Sequence, residues 1–138
     1  MKKLHCLLFL LVALMTIPLV QPGTMSAQQA ASMQVAVGAI CRDVVDRAPI
    51  EVGSSFDVSA GKLYCFTKIT GAPSPTQITH VWYFGDSERA RVKLAVNAAT
   101  WRTWSSKIIQ AQEIGPWHVD VLGPAGEVLQ TLDFAITQ

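Results

Sequence analysis

At 138 residues, with 11 Lys and Arg against 10 Asp and Glu and a formal charge of +1, the chain has room for one ordinary domain and a single core. That balance excludes the broad basic face of a nucleic-acid binder. Hydrophobic residues make up 50 % of the chain, and they are densest in the first twenty positions.

Met1-Lys2-Lys3 gives a positive start, and Leu4 to Val20 is a nearly unbroken apolar run that ends around Pro18. Residues 1–27 read as a secretory signal peptide, cut between about Ser26 and Ala31. An uncleaved anchor is the competing reading, and it would be the only membrane contact; Pro18 and His5 shorten a run already at the lower limit for spanning a bilayer. Lys2 and Lys3 leave with the leader, so nine basic residues face ten acidic ones in the remainder. Residues 28–33 form a polar, Ala-rich connector, and the domain proper is 34–138.

From there short apolar runs alternate with turn residues, and helical periodicity is absent. Strands are expected at Val35 to Val45, Leu63 to Thr70, Gln77 to Phe84, Arg89 to Val96, Trp101 to Ile109, Trp117 to Leu122 and Val128 to Ile136. Ala48-Pro49 ends the first of them, and Phe56-Asp57-Val58 is a weak segment. Gly123-Pro124-Ala125-Gly126 closes the final hairpin. About seven strands at this spacing predict an all-β fold, a single antiparallel immunoglobulin-like β-sandwich. Arg89, Arg91 and Lys93 alternate along one strand face and read as a solvated or edge-protecting stripe.

Three cysteines are present, and Cys6 departs with the leader. Cys41 and Cys65 then form an even pair in an exported chain, which predicts one disulfide. It would close a loop of roughly 25 residues and stabilise the fold by roughly 3 kcal/mol.

The residues Cys41-Arg42, Leu63-Tyr64-Cys65-Phe66-Thr67, His80-Val81-Trp82-Tyr83, Trp101-Arg102-Thr103-Trp104-Ser105-Ser106-Lys107, Gly115-Pro116-Trp117 and Gly126-Glu127-Val128-Leu129 follow in an order that resembles the bacterial domain of unknown function 2914 family. The resemblance covers about Ala39 to Phe134. It implies a small β-sandwich module of exported or membrane-attached bacterial proteins and carries no established activity or catalytic residues.

Within Trp101 to Lys107, strand alternation puts Trp101, Thr103, Ser105 and Lys107 on one face and Arg102, Trp104 and Ser106 on the other. Both indoles cannot enter one core, which leaves a large ring for a second layer or a ligand. His80 and Trp82 share a face of a neighbouring strand. The candidate ligand-binding residues are therefore His80, Trp82, Trp101, Arg102, Trp104 and Lys107. Flat indoles beside guanidinium, ammonium and hydroxyl groups suit a sugar ring, with apolar C–H faces and a hydroxyl rim, and Arg102 can fork a carboxylate. On the competing reading Trp82, Trp101 and Trp117 fill the core while Arg102 stacks on Trp104.

His80, His118 and Asp120 lie at no recognised metal-ligand spacing, so no metal and no cofactor is expected. Ser105 or Ser106 with His80 or His118 and one of Asp57, Asp86, Asp120 or Asp133 makes a triad by arithmetic alone, because no strained nucleophile turn frames either serine. The expectation is a non-enzymatic module in a bacterial periplasm or at the cell surface. It would bind a glycan, peptidoglycan-like material or an envelope protein. The alternative is a structural or assembly module that pairs through an exposed strand edge.

Overall fold

The computed structural model describes residues 32–138. The signal peptide and most of the connector lie outside the described residues. Nine strands follow in order: β1 (Gln34–Val45), β2 (Ala48–Val52), β3 (Ser55–Asp57), β4 (Lys62–Thr70), β5 (Thr76–Phe84), β6 (Ser87–Val96), β7 (Thr100–Ile108), β8 (Gly115–Leu122) and β9 (Val128–Thr137). They form two sheets, ordered β2-β1-β4-β7 and β3-β9-β8-β5-β6, stacked as a sandwich. Among the described residues no helix is long and apolar enough to cross a membrane.

Period-two alternation writes the faces of these sheets. In β8, Trp117, Val119 and Val121 are buried while His118, Asp120 and Leu122 are half-buried, as a strand with one face on the core requires. The turn into β9 is tied by Gly123 N–H to the Glu127 carbonyl at 2.8 Å and by Gly126 N–H to the Gly123 carbonyl at 3.0 Å. Gly126 holds φ 84° there, a conformation that costs glycine nothing and other residues about 1 kcal/mol or more.

Two strands exceed the expected set. The first strand does end at Val45, but Ala48-Pro49, expected only to end it, opens β2, an edge strand, where the missing N–H of proline is tolerated. The Phe56 segment becomes β3, which runs parallel to β9 and buries Phe56, before Asp57 accepts the Ser59 N–H at 2.8 Å to start a one-turn 3₁₀ helix.

The expected disulfide is absent. Ile40 opposes Cys65 and Cys41 opposes Tyr64 in the β1–β4 ladder. Successive residues point to opposite faces, so the Cys65 side chain enters the core and the Cys41 side chain leaves it. Both are free thiols at 0 % exposure. Burial pushes the Cys41 thiol up to about 11 and the Cys65 thiol higher still, which keeps both protonated and unreactive near neutrality.

A bulge also alters the basic stripe. Trp82 opposes Ala90 and Tyr83 opposes Glu88, which leaves Arg89 as the extra residue. Arg91 and Lys93 stay on the outer face of the edge strand β6. Arg89 instead lies over the Phe84 ring at 5.4 Å and pairs with the buried Glu113 at 3.5 Å.

The interior is two apolar clusters with a polar layer between them. One gathers Leu63, Cys65, Trp82, Trp117, Val119 and Phe134; the other gathers Ile69, Ile78, Val96 and Val121. Edge-on contact of Trp82 with Phe134 at 6.1 Å and stacking of Trp117 on Phe134 at 5.9 Å set the geometry of the first. Along β4 the sequence Cys65, Thr67, Ile69 passes from one cluster to the other, and along β5 the sequence Trp82, His80, Ile78 does the same. Thr67 and His80 are thus the polar layer.

Candidate functional site

The six sequence-derived candidates separate into three places. His80 and Trp82 go to the core, at 0 % exposure. Trp101, Arg102 and Trp104 line one depression. Lys107 lies farther along β7, in a second depression with Arg89, Gln110 and Glu113, where its ammonium donates to the Ile108 carbonyl at 2.7 Å.

His80 and Trp82 are held by a closed hydrogen-bond circuit. The Trp82 indole N–H donates to Ser105 Oγ at 3.0 Å, and the Thr67 hydroxyl donates to the Thr103 carbonyl at 3.2 Å. With its proton committed there, Thr67 Oγ1 accepts from His80 Nε2–H at 3.2 Å. Ser105 in turn donates to His80 Nδ1 at 2.7 Å. Every donor finds an acceptor only if His80 is neutral with its proton on Nε2. Burial agrees, lowering its pKa to about 4.

A serine and a histidine within hydrogen-bond reach are therefore real here, but Ser105 is 6 % exposed and the second histidine nitrogen meets Thr67 rather than a carboxylate. The pair ties the two sheets together. His118 faces the other way: on the outer face of the second sheet it stacks on Tyr83 at 4.6 Å. Among the described residues no three His, Cys, Asp or Glu side chains gather in metal-binding geometry.

The Trp/Arg depression has a local cause. In the β4–β7 ladder Ile69 opposes Trp101, Lys68 opposes Arg102 and Phe66 opposes Trp104. Since Ile69 belongs to the core, Trp101 faces inward at the sheet edge, packed on the second apolar cluster. Arg102 and Trp104 face outward, and Trp104 stacks on Phe66 with centroids 6.4 Å apart and planes 17° apart. The Arg102–Trp104 stack of the competing reading is replaced by this aromatic pair.

The β1–β2 hairpin completes the site, a contribution the sequence reading missed. β1 pairs with β4 only as far as Cys41. Beyond it the hairpin crosses the outer face, so that Arg47, Ala48 and Pro49 meet Phe66, Lys68 and Arg102 around a hollow of about 180 Å³. This cover explains why Ala39, Cys41 and Phe66 are buried on an outward face. The two-residue turn places Asp46 at φ 52° and Arg47 at φ 60°, the left-handed pair of a type I′ turn, whose second position favours glycine. Arg47 occupies it nonetheless and lays its guanidinium over the Trp101 ring at 5.6 Å. Arg102 Nη1–H donates to the Arg47 carbonyl at 3.4 Å. Arg47, Ala95, Trp101, Arg102, Thr103 and Trp104 together enclose an open depression of about 430 Å³. The signal that could have found Arg47 is the Asp46-Arg47 pair itself, between two strand-like runs.

Residues 75–136 match the family model described as "Protein of unknown function (DUF2914)". Over that stretch the chain is similar to this family. The DUF2914 match runs from the start of β5 into β9 and includes Ala95 and Trp101 to Trp104, whereas Arg47, Phe66 and Lys68 precede it. The Cys41-Arg42 and Leu63 to Thr67 parts of the resemblance also fall before it. No curated protein matches the chain.

Proposed function

We propose that this chain is a non-enzymatic, exported bacterial module that binds a sugar ring of a glycan or peptidoglycan-like material in the Arg47, Trp101, Arg102 and Trp104 depression. One observation carries the reading: two half-buried indoles and two exposed guanidinium groups converge on a single open hollow of about 430 Å³. Indole faces match the C–H faces of a pyranose, and guanidinium N–H groups and the Thr103 hydroxyl match its oxygens. The finer architecture belongs to the same proposal, an immunoglobulin-like sandwich that presents the site from one sheet edge.

Arg102→Ala is expected to shift unfolding free energy by less than about 0.5 kcal/mol, since the side chain is exposed and has no carboxylate partner. Trp104→Ala uncovers Phe66 and is expected to cost about 1 kcal/mol. Both substitutions should abolish retention on insoluble cell-wall and glycan material. A large loss of stability in both, with no retention by wild type in a broad glycan screen, contradicts the proposal. That outcome favours the second reading, pairing with an envelope protein through a strand edge. β7 supports it as the terminal strand of its sheet, with one edge unpaired by any described strand.

A further inference from the structure

We infer that the ring this site takes is an acidic one, whose carboxylate sits between the guanidinium groups of Arg47 and Arg102. This rests on the ring-binding reading above and narrows it. The 430 Å³ depression adjoins the 180 Å³ hollow, and Arg47 and Arg102 line both. The charged side chains around the two are Arg47, Arg102 and Lys68, and no acid is among them. Ion pairs among the described residues are Arg42–Glu51, Arg89–Glu113 and Arg91–Glu88. Arg42, Arg89 and Arg91 thus each have a carboxylate partner, whereas Arg47 and Arg102 are the two arginines without one, and Lys68 beside them has none either.

Arg47 adds an independent argument. A type I′ turn accepts glycine at its second central position without strain, whereas a side chain held at φ 60° costs roughly 1 kcal/mol. The chain keeps a guanidinium there, over the Trp101 ring. Arg102 spends one N–H on the Arg47 carbonyl and retains the rest of its five donors for a planar anion. The lining comes from strands and one tight hairpin turn, with no helix N-terminus or glycine-rich nest to hold a phosphate. Guanidinium forks recognise carboxylate and phosphate alike, and with no backbone nest to add donors for a third oxygen the two-oxygen carboxylate is the simpler fit.

The test uses calorimetric titration with four probes: trigalacturonic acid, its methyl ester, the N-acetylglucosamine–N-acetylmuramic acid disaccharide, and neutral chitobiose. At least one acid should bind tenfold or more tightly than its neutral counterpart, with the advantage shrinking as salt rises. A preference for the galacturonate pair alone, or for the muramic pair alone, supports the inference and identifies the source of the acid. Arg47→Gly should bring that ratio close to one while the melting temperature stays level or rises, because glycine relieves the turn. Equal binding of acid and neutral partners overturns the inference and leaves ring binding intact. An acid preference unchanged in Arg47→Gly overturns the role given to Arg47. Failure of all four rings to bind overturns the ring-binding reading as well.

Discussion

Ser105→Ala is expected to destabilise the fold by about 3 kcal/mol, with a fall in melting temperature of more than about 10 °C. The hydroxyl accepts the Trp82 indole N–H and donates to His80 Nδ1. Removing it strands one donor and one acceptor in a dry interior at once, and each such buried group costs roughly 1–3 kcal/mol. Ser106, one residue on, points to the opposite face and is exposed; Ser106→Ala should stay within about 0.5 kcal/mol of wild type. Urea unfolding of the two variants makes the comparison. A Ser105→Ala midpoint equal to that of Ser106→Ala would show that the circuit contributes nothing.

Acid should weaken the same layer in a defined window. His80 has its pKa lowered to about 4 by burial, against 6.5 for the free side chain. A depressed histidine pKa means that the unfolded chain takes up the proton first. The contribution of neutral His80 is therefore fully present above about pH 6.5 and is lost as pH falls toward 4, where the folded form begins to protonate too. Linkage puts the loss at about 3 kcal/mol across that interval. His80→Gln should remove the slope, because the amide still accepts from Ser105 and donates to Thr67 but does not titrate. His118 remains in both proteins and cancels. Stability measured between pH 4 and 7 decides it: parallel curves for wild type and His80→Gln would contradict the assignment.

Alternation made most of the sandwich legible. Trp117 to Leu122 falls on an observed strand because that strand buries one face, which the period-two pattern records, while Val35 to Val45 and Leu63 to Thr70 fall on strands that are buried on both faces around Ala39 to Cys41 and Cys65 to Thr67. β2 and β3 were hidden for opposite reasons. Pro49 reads as a break, yet an edge strand tolerates it, and the β3 segment pairs with β9 some eighty positions away, a contact that carries no local signal. The cysteine pair was misread because an even count says nothing of register, and one residue of offset sends two thiols to opposite faces.

The site was half legible. The split of Trp101 from Arg102 and Trp104 followed from alternation alone, and the structure keeps it. His80 and Trp82 were grouped with them for sharing a strand face, but that face is the inner one. A buried histidine circuit cannot be told from an exposed one by residue type. Arg47 was invisible because its place depends on a hairpin folding over a sheet some fifty positions away in sequence.

The most direct measurement is a ¹H–¹⁵N correlation spectrum of the four tryptophan indoles, recorded while trigalacturonic acid and the muramic acid disaccharide are titrated in turn. The account predicts that the Trp101 and Trp104 indole signals move with at least one acid while those of Trp82 and Trp117, sealed in the core, stay in place. Movement of Trp82 and Trp117 with Trp101 and Trp104 unchanged, or no movement of any indole with either acid, would contradict it.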